Sequence, residues 1–228
     1  MLLDFYSPYT CPACRRETQK PGLCPNCHPV AELGEKGRCR RCFLRLSRSD
    51  GICPFCSSRN VLFDRHVSTF GLNRETKRVL QAWKFENDRK AYRTFLPFVR
   101  KRLDHLLQEE DIIHQTGLLA YIGSGSSAAS IRNYQPVKDM AGELQGRNLQ
   151  ACAPLKKSVV RKQSGENRKN RFFQVRNSIQ LTEEYRVAQY YVILEDLFTT
   201  GATANEASRI LKKRSAAPVF VLSLFMAD

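Results

Sequence analysis

The chain has 228 residues, with 37 Lys and Arg against 22 Asp and Glu, and a formal net charge of +15. Its 42% hydrophobic content, including 13 Phe and 8 Tyr, excludes disorder throughout and provides for a packed core in one or two domains. No apolar run approaches the roughly 18 residues of a membrane span, and the opening MLLDFYSPYT lacks the basic and apolar regions of a secretory signal. A cytoplasmic protein is expected.

The first 60 residues are knuckles and turns with too little apolar content to fold unaided. Eight of the nine cysteines fall here, in four CxxC pairs: Cys11/Cys14, Cys24/Cys27, Cys39/Cys42 and Cys53/Cys56. Without a secretion signal such pairs point to metal rather than disulfides. Nine residues separate Cys14 from Cys24 and ten separate Cys42 from Cys53, the spacing of a zinc ribbon. Two structural Zn2+ sites are expected, Cys11/Cys14/Cys24/Cys27 and Cys39/Cys42/Cys53/Cys56. Interleaved pairing, first knuckle with third and second with fourth, fits the spacing too, and His28 is an alternative ligand beside Cys27. Four thiolates leave no open coordination position, so neither site is hydrolytic. Each site nets two negative charges, which lowers the formal charge to about +11. Arg38, Arg40, Arg41, Arg45 and Arg48 mark the second half as a surface for DNA or a partner, or as plain solvated charge.

From residue 61 to 228 the pattern is that of an α/β domain. HVSTFGLN (66–73) reads as a strand and turn, and residues 74–108 as helix, broken near KFEND (84–88). GLLAYIG (117–123) is a buried strand, and residues 126–146 form a loop and a helix with Pro136 in its first turn. Lys156 to Arg176 holds eight basic residues and one acid with no clear periodicity, as in a mobile arm. AQYYVILED (188–196) is the strongest strand, a Thr/Gly turn opens a helix over 199–213, and VFVLSLF (219–225) closes the chain. Strands alternating with helices predict a mainly parallel sheet flanked by helices.

The segment from Val192 to Thr203 carries the clearest chemistry. Glu195 and Asp196 close a buried strand, at the edge where α/β proteins bind ligands. Thr199, Thr200, Gly201, Ala202 and Thr203 then offer amides and hydroxyls at a helix N-terminus, which suits a phosphate monoester. Two carboxylates positioned for the 2′ and 3′ hydroxyls, about one sugar from a phosphate cradle, describe a ribose-5-phosphate site. A helix cap alone accounts for one Thr but not for the whole set.

This segment resembles the phosphoribosyl-diphosphate (PRPP) signature of type I phosphoribosyltransferases. Together with the Cys knuckles, the chain is similar over most of its length to the ComF family of competence-associated proteins. Trp83-Lys-Phe-Glu-Asn-Asp88, Ile131-Arg-Asn-Tyr-Gln135 and Gln163 to Phe173, with Arg168 and Asn170, resemble further motifs of that family. Glu-Asp replaces its usual Asp-Asp, and the Arg-Gly-Phe-Asn motif has lost its Gly. The resemblance implies a phosphoribosyltransferase-like fold, PRPP bound with Mg2+, and a pyrophosphate loop at Gly123, Ser124, Gly125 and Ser126. Without the family, that loop looks like a dinucleotide fingerprint, but the acid it requires is missing from the end of a second strand.

Two activities compete. Displacement of pyrophosphate from PRPP by an acceptor needs little beyond positioning, so the lack of a catalytic His or Cys does not exclude it. Against it stands single-stranded DNA binding in natural transformation, beside partners such as a DNA-uptake helicase. The basic arm (Lys156, Lys157, Arg161, Lys162, Arg168, Lys169, Arg171) with Phe172 combines charge and aromatic rings as sequence-tolerant single-strand binding does. A second basic set runs along the helices: Lys77, Arg78, Lys84, Arg89, Lys90, Arg93, Arg100, Lys101 and Arg102.

Overall fold

A computed structural model describes residues 9–11, 13–19, 23–27, 32–47, 51–85, 92–123, 135–158, 175 and 177–227. A short hairpin, β1 (Tyr9–Thr10) and β2 (Glu17–Thr18), frames the first knuckle, and the helix α1 (Pro54–Ser58) carries the last. The main sheet comprises β3 (Arg65–Gly71), β4 (Gly117–Gly123), β5 (Leu149–Lys157), β6 (Ile179–Leu181), β7 (Tyr190–Phe198) and β8 (Val219–Met226). Its order is β3-β8-β7-β4-β5-β6, parallel throughout except for β5 against β6. The helices α2 (Arg74–Phe85), α3 (Leu96–Glu109), α4 (Pro136–Leu144) and α5 (Ala202–Lys212) flank it. The protein is α/β, as the alternation of patterns predicts.

The centre of the sheet is apolar on both faces. Tyr190 to Leu194 on β7 and Val219 to Leu222 on β8 are buried, the continuous apolar run required of a strand covered on both sides. Val79, Leu80 and Trp83 on α2 and Val99, Leu103 and Leu106 on α3 lie at helical intervals and are buried too. Pro136 takes the first helical position of α4, where its missing N–H costs nothing.

Two strands depart from the expected pattern. Lys156 and Lys157, expected in a mobile arm, instead close β5, and β6 pairs with them from the far side. Pro154 is what hides β5 in the sequence, since proline cannot donate to a ladder. The pairing with β4 steps from Ala120/Cys152 to Ile122/Leu155, so Ala153 and Pro154 occupy a bulge that spares the proline. The other arm residues, Arg161, Lys162, Arg168, Lys169, Arg171 and Phe172, lie outside the described residues.

The Cys-rich segment packs on the β3 edge. Glu32 bridges Phe70, and the Leu33 N–H donates to the Thr69 carbonyl at 2.9 Å. The buried Arg102 donates to the Glu35 carboxylate at 2.7 Å and to the Leu33 carbonyl. Arg65 adds ion pairs to Glu35, Glu109 and Glu110. No helix among the described residues is long and apolar enough to cross a membrane.

Candidate functional site

The eight knuckle cysteines converge in sequence order, Cys11/Cys14/Cys24/Cys27 and Cys39/Cys42/Cys53/Cys56, each quartet with its sulfurs within 4.8 Å of one another. Interleaved pairing is thereby excluded, and His28 lies outside the described residues. A tetrahedral ZnS4 centre with bonds near 2.3 Å has sulfurs ~3.8 Å apart. Cys14 and Cys24 Sγ lie 3.6 Å apart, and Cys42 and Cys53 Sγ 3.5 Å, so both donor sets fit Zn2+.

The two sites repeat one local geometry. The residue after each first-half knuckle is left-handed, Arg15 at φ 63° and Phe43 at φ 64°. In both, its N–H returns to the carbonyl of the first cysteine, Cys11 or Cys39. Burial alone would raise Cys11 and Cys39, but donors from the knuckle backbone outweigh it and hold both at about 7. The lowered values favour the thiolate, the form that binds metal. A third cluster, Glu35, His105 and Glu109, is already tied to Arg65 and Arg102 and reads as an ion-pair network.

The cleft sits where the sheet changes direction. After β4 the chain runs through α4 to β5 on one side, and after β7 through α5 to β8 on the other. The crevice between β4 and β7 is therefore a topological switch point, the usual ligand position in open α/β sheets. Pairing between them stops at Ala120/Ile193, whereas β7 stays paired to β8 through Phe198. The strands part there and leave a cleft of about 490 Å³. Tyr121 to Gly123, Glu195 to Leu197 and Thr199 to Thr203 line it, together with Gln135 to Lys138 at the start of α4, Lys84 and Lys157.

The N-termini of α4 and α5 thus both open onto the cleft, where helix ends favour an anion. Gly201 precedes α5 at φ +71°, and a Cβ there would lie 2.6 Å from Phe198 Cζ, so only glycine fits. Among the described residues, the amides of Thr199, Thr200 and Gly201 have no acceptor, and the Ala202 N–H meets only Thr200 Oγ1 at 3.4 Å.

The two acids differ. Asp196 Oδ2 is ion-paired with Lys84 Nζ at 2.6 Å. Glu195 Oε1 is buried and has no hydrogen-bond partner among the described residues. Burial, reinforced by the Asp196 charge and only partly offset by Lys157 and Lys84, pushes Glu195 up to about 8. At neutral pH Glu195 therefore favours its protonated form, and the neighbouring Asp196 is already engaged by the Lys84 ammonium. Oxygen donors suit Mg2+, but these two are not an open cation site.

All the acid and Thr/Gly residues singled out in the sequence meet in this cleft. Gly123 joins them, while Ser124, Gly125 and Ser126 lie outside the described residues. Lys84, Lys138 and Lys157 line the cleft as well, although charge pattern alone assigns Lys84 and Lys157 to a DNA-facing surface and gives Lys138 no role. Sequence carries no signal for a contact between residues 84 and 196, because it depends on where α2 ends over β7. Other members of the helical basic set are engaged as well: Arg93 with Glu143, Lys101 with Glu32, and Arg102 with Glu35.

No family model matches the chain, and no curated protein matches it. A hypoxanthine phosphoribosyltransferase from Staphylococcus aureus is similar to it in two crystal forms, tetragonal and orthorhombic, each at 14% identity. The TM-scores are 0.34 and 0.33, over 57% of this chain and 62% of the enzyme's own length, less than two thirds of it. So partial a likeness carries no functional weight, which rests on the cleft's own residues.

Proposed function

We propose that the cleft binds the ribose phosphate end of PRPP in a phosphoribosyltransferase-like domain spanning residues 61–228, behind a double zinc ribbon in residues 1–60. The 5-phosphate sits on the amides of Thr199 to Thr203, and the 2′ and 3′ hydroxyls bond Glu195 and Asp196. The observation that carries this reading is the buried, partnerless Oε1 of Glu195, beside a charge-paired Asp196 and across the cleft from a glycine turn with open amides. Such an atom is costly unless a ligand satisfies it, and a vicinal diol has the matching hydroxyls. The diphosphate extends towards Gly123 and brings its own Mg2+, which offsets the diphosphate charge.

The chain's own residues position the sugar and exclude water from its buried face. On the alternative reading, in which the protein is an enzyme, an acceptor attacks the anomeric carbon and pyrophosphate leaves through an oxocarbenium-like transition state. Replacing Glu195 and Asp196 together by Ala abolishes PRPP binding in a calorimetric titration and leaves two zinc ions per chain. PRPP affinity that survives this double change defeats the assignment.

We place this PRPP binding in the cytoplasm, in a ComF-like protein that handles single-stranded DNA during uptake and works beside a helicase. The formal charge of +15, about +11 with two zinc-tetrathiolate sites, supports this setting, as do the exposed Lys77, Arg78 and Lys156. Binding of labelled single strands should weaken steeply with salt, and charge reversal of Lys156, Arg161, Lys162, Arg168, Lys169 and Arg171 should lower that slope. No binding at low salt, with PRPP still bound, favours a conventional phosphoribosyltransferase with its own acceptor.

A further inference from the structure

The Lys84–Asp196 pair lies inside the cleft and bridges two elements. Lys84 stands in the last turn of α2, directly after the fully buried Trp83, so the packing of that ring fixes where the lysine leaves the helix. Its Nζ lies 2.6 Å from Asp196 Oδ2, and the two side chains are 24% and 21% exposed, which shields the pair from bulk water. A divalent cation at an acid pair needs open carboxylate oxygens and at least one negative charge to neutralise. Here the ammonium already supplies the neutralising charge, and the neighbouring Glu195 is held protonated by its burial. A ribose phosphate entering this cleft meets no net repulsion from the two acids.

Building on the ribose-phosphate reading above, we propose that Lys84 is a positioning residue that takes the place of a divalent cation at Asp196. It orients and neutralises that carboxylate so that the sugar diol binds without metal at the acid pair. Asp196 keeps its other oxygen for a hydroxyl, and Glu195 meets the second. Mg2+ then matters for the diphosphate and not for the ribose.

The test uses ribose-5-phosphate, which has no diphosphate, titrated into the zinc-loaded full chain with and without added Mg2+. Wild type binds it, with an affinity that Mg2+ changes less than about twofold. Lys84→Met keeps two zinc ions and an unchanged unfolding midpoint, loses about tenfold in affinity without Mg2+, and recovers most of it when Mg2+ is added. Lys84→Arg, which keeps the charge, restores metal independence. Electron paramagnetic resonance with Mn2+ detects a new site in Lys84→Met that disappears when Asp196→Asn is added.

Three results overturn the proposal and leave the ribose-phosphate site standing: wild-type binding that itself requires Mg2+, Lys84→Met binding like wild type, or Lys84→Met binding weakly and ignoring Mg2+. Wild type that fails to bind ribose-5-phosphate under any condition overturns the site reading, and this proposal with it.

Discussion

At the scale of single residues the cleft is organised by opposite treatment of two neighbouring carboxyls. Asp196 is ion-paired with Lys84, while Glu195, with its Oε1 buried and unpartnered, is pushed up to about 8 by burial first and by Asp196 second. The unfolded chain ionises this glutamate near the ordinary value of 4.5, so between there and about 8 the folded state holds a proton that the unfolded state has lost. Stability from this group is therefore fully present below the lower value and is lost as pH rises towards the upper one. Glu195→Gln should remove that component, so the unfolding free energy of the variant falls less than that of wild type between about pH 5 and about pH 8. Parallel denaturant curves over that range decide it. Identical slopes in the two proteins show that Glu195 ionises normally.

Among the elements, those legible in sequence were the ones whose residues announce burial or a forced backbone. The apolar run Tyr190 to Leu194, the stripes on α2 and α3, and the glycine turn before α5 each express a local requirement, and each formed where the pattern places it. The CxxC spacing was equally plain, because four thiolates around one ion demand that geometry. What sequence did not reveal depends on partners distant along the chain. The strand β5 is hidden by Pro154, which is tolerated only because the pairing with β4 shifts around it. The role of Lys84 depends on the end of α2 lying over the end of β7. The partition of the cysteines needed the fold of the knuckles themselves. Local pattern thus located the acid pair and the glycine turn before α5, whereas the charges beside them came from helix packing and from the edge of β5.

For the molecule as a whole, the second cysteine quartet is joined to the cleft by a continuous buried path. The Cys42 carbonyl accepts from His66 Nδ1 at 2.9 Å, and His66 Nε2 accepts from the Ser223 hydroxyl at 2.9 Å. Burial holds that imidazole neutral, down at about 3, in keeping with one donor and one acceptor nitrogen. Its ring stacks on Phe198 at 3.7 Å between centroids, and Phe198 is the side chain that lies under Gly201. Each contact replaces water with a fixed partner, so disturbance at Cys42 is passed to the Gly201 turn through packed groups rather than through solvent. The first site packs into the same core, but the hydrogen bonds of its cysteines among the described residues stay within its own knuckles, with no counterpart of the Cys42–His66 bond to the sheet. Its hairpin pairs Tyr9 and Thr10 with Thr18 and Glu17. Cys11→Ser and Cys42→Ser should therefore each lose one zinc yet differ in their effect on the cleft. Cys11→Ser should leave ribose-5-phosphate affinity within about twofold of wild type, whereas Cys42→Ser should lower it about tenfold and cost about 2 kcal/mol or more of stability, as loss of a structural metal does. Zinc content, denaturant midpoint and ribose-5-phosphate titration of both variants test this, and equal affinity losses in the two would show that His66 and Phe198 do not carry the effect.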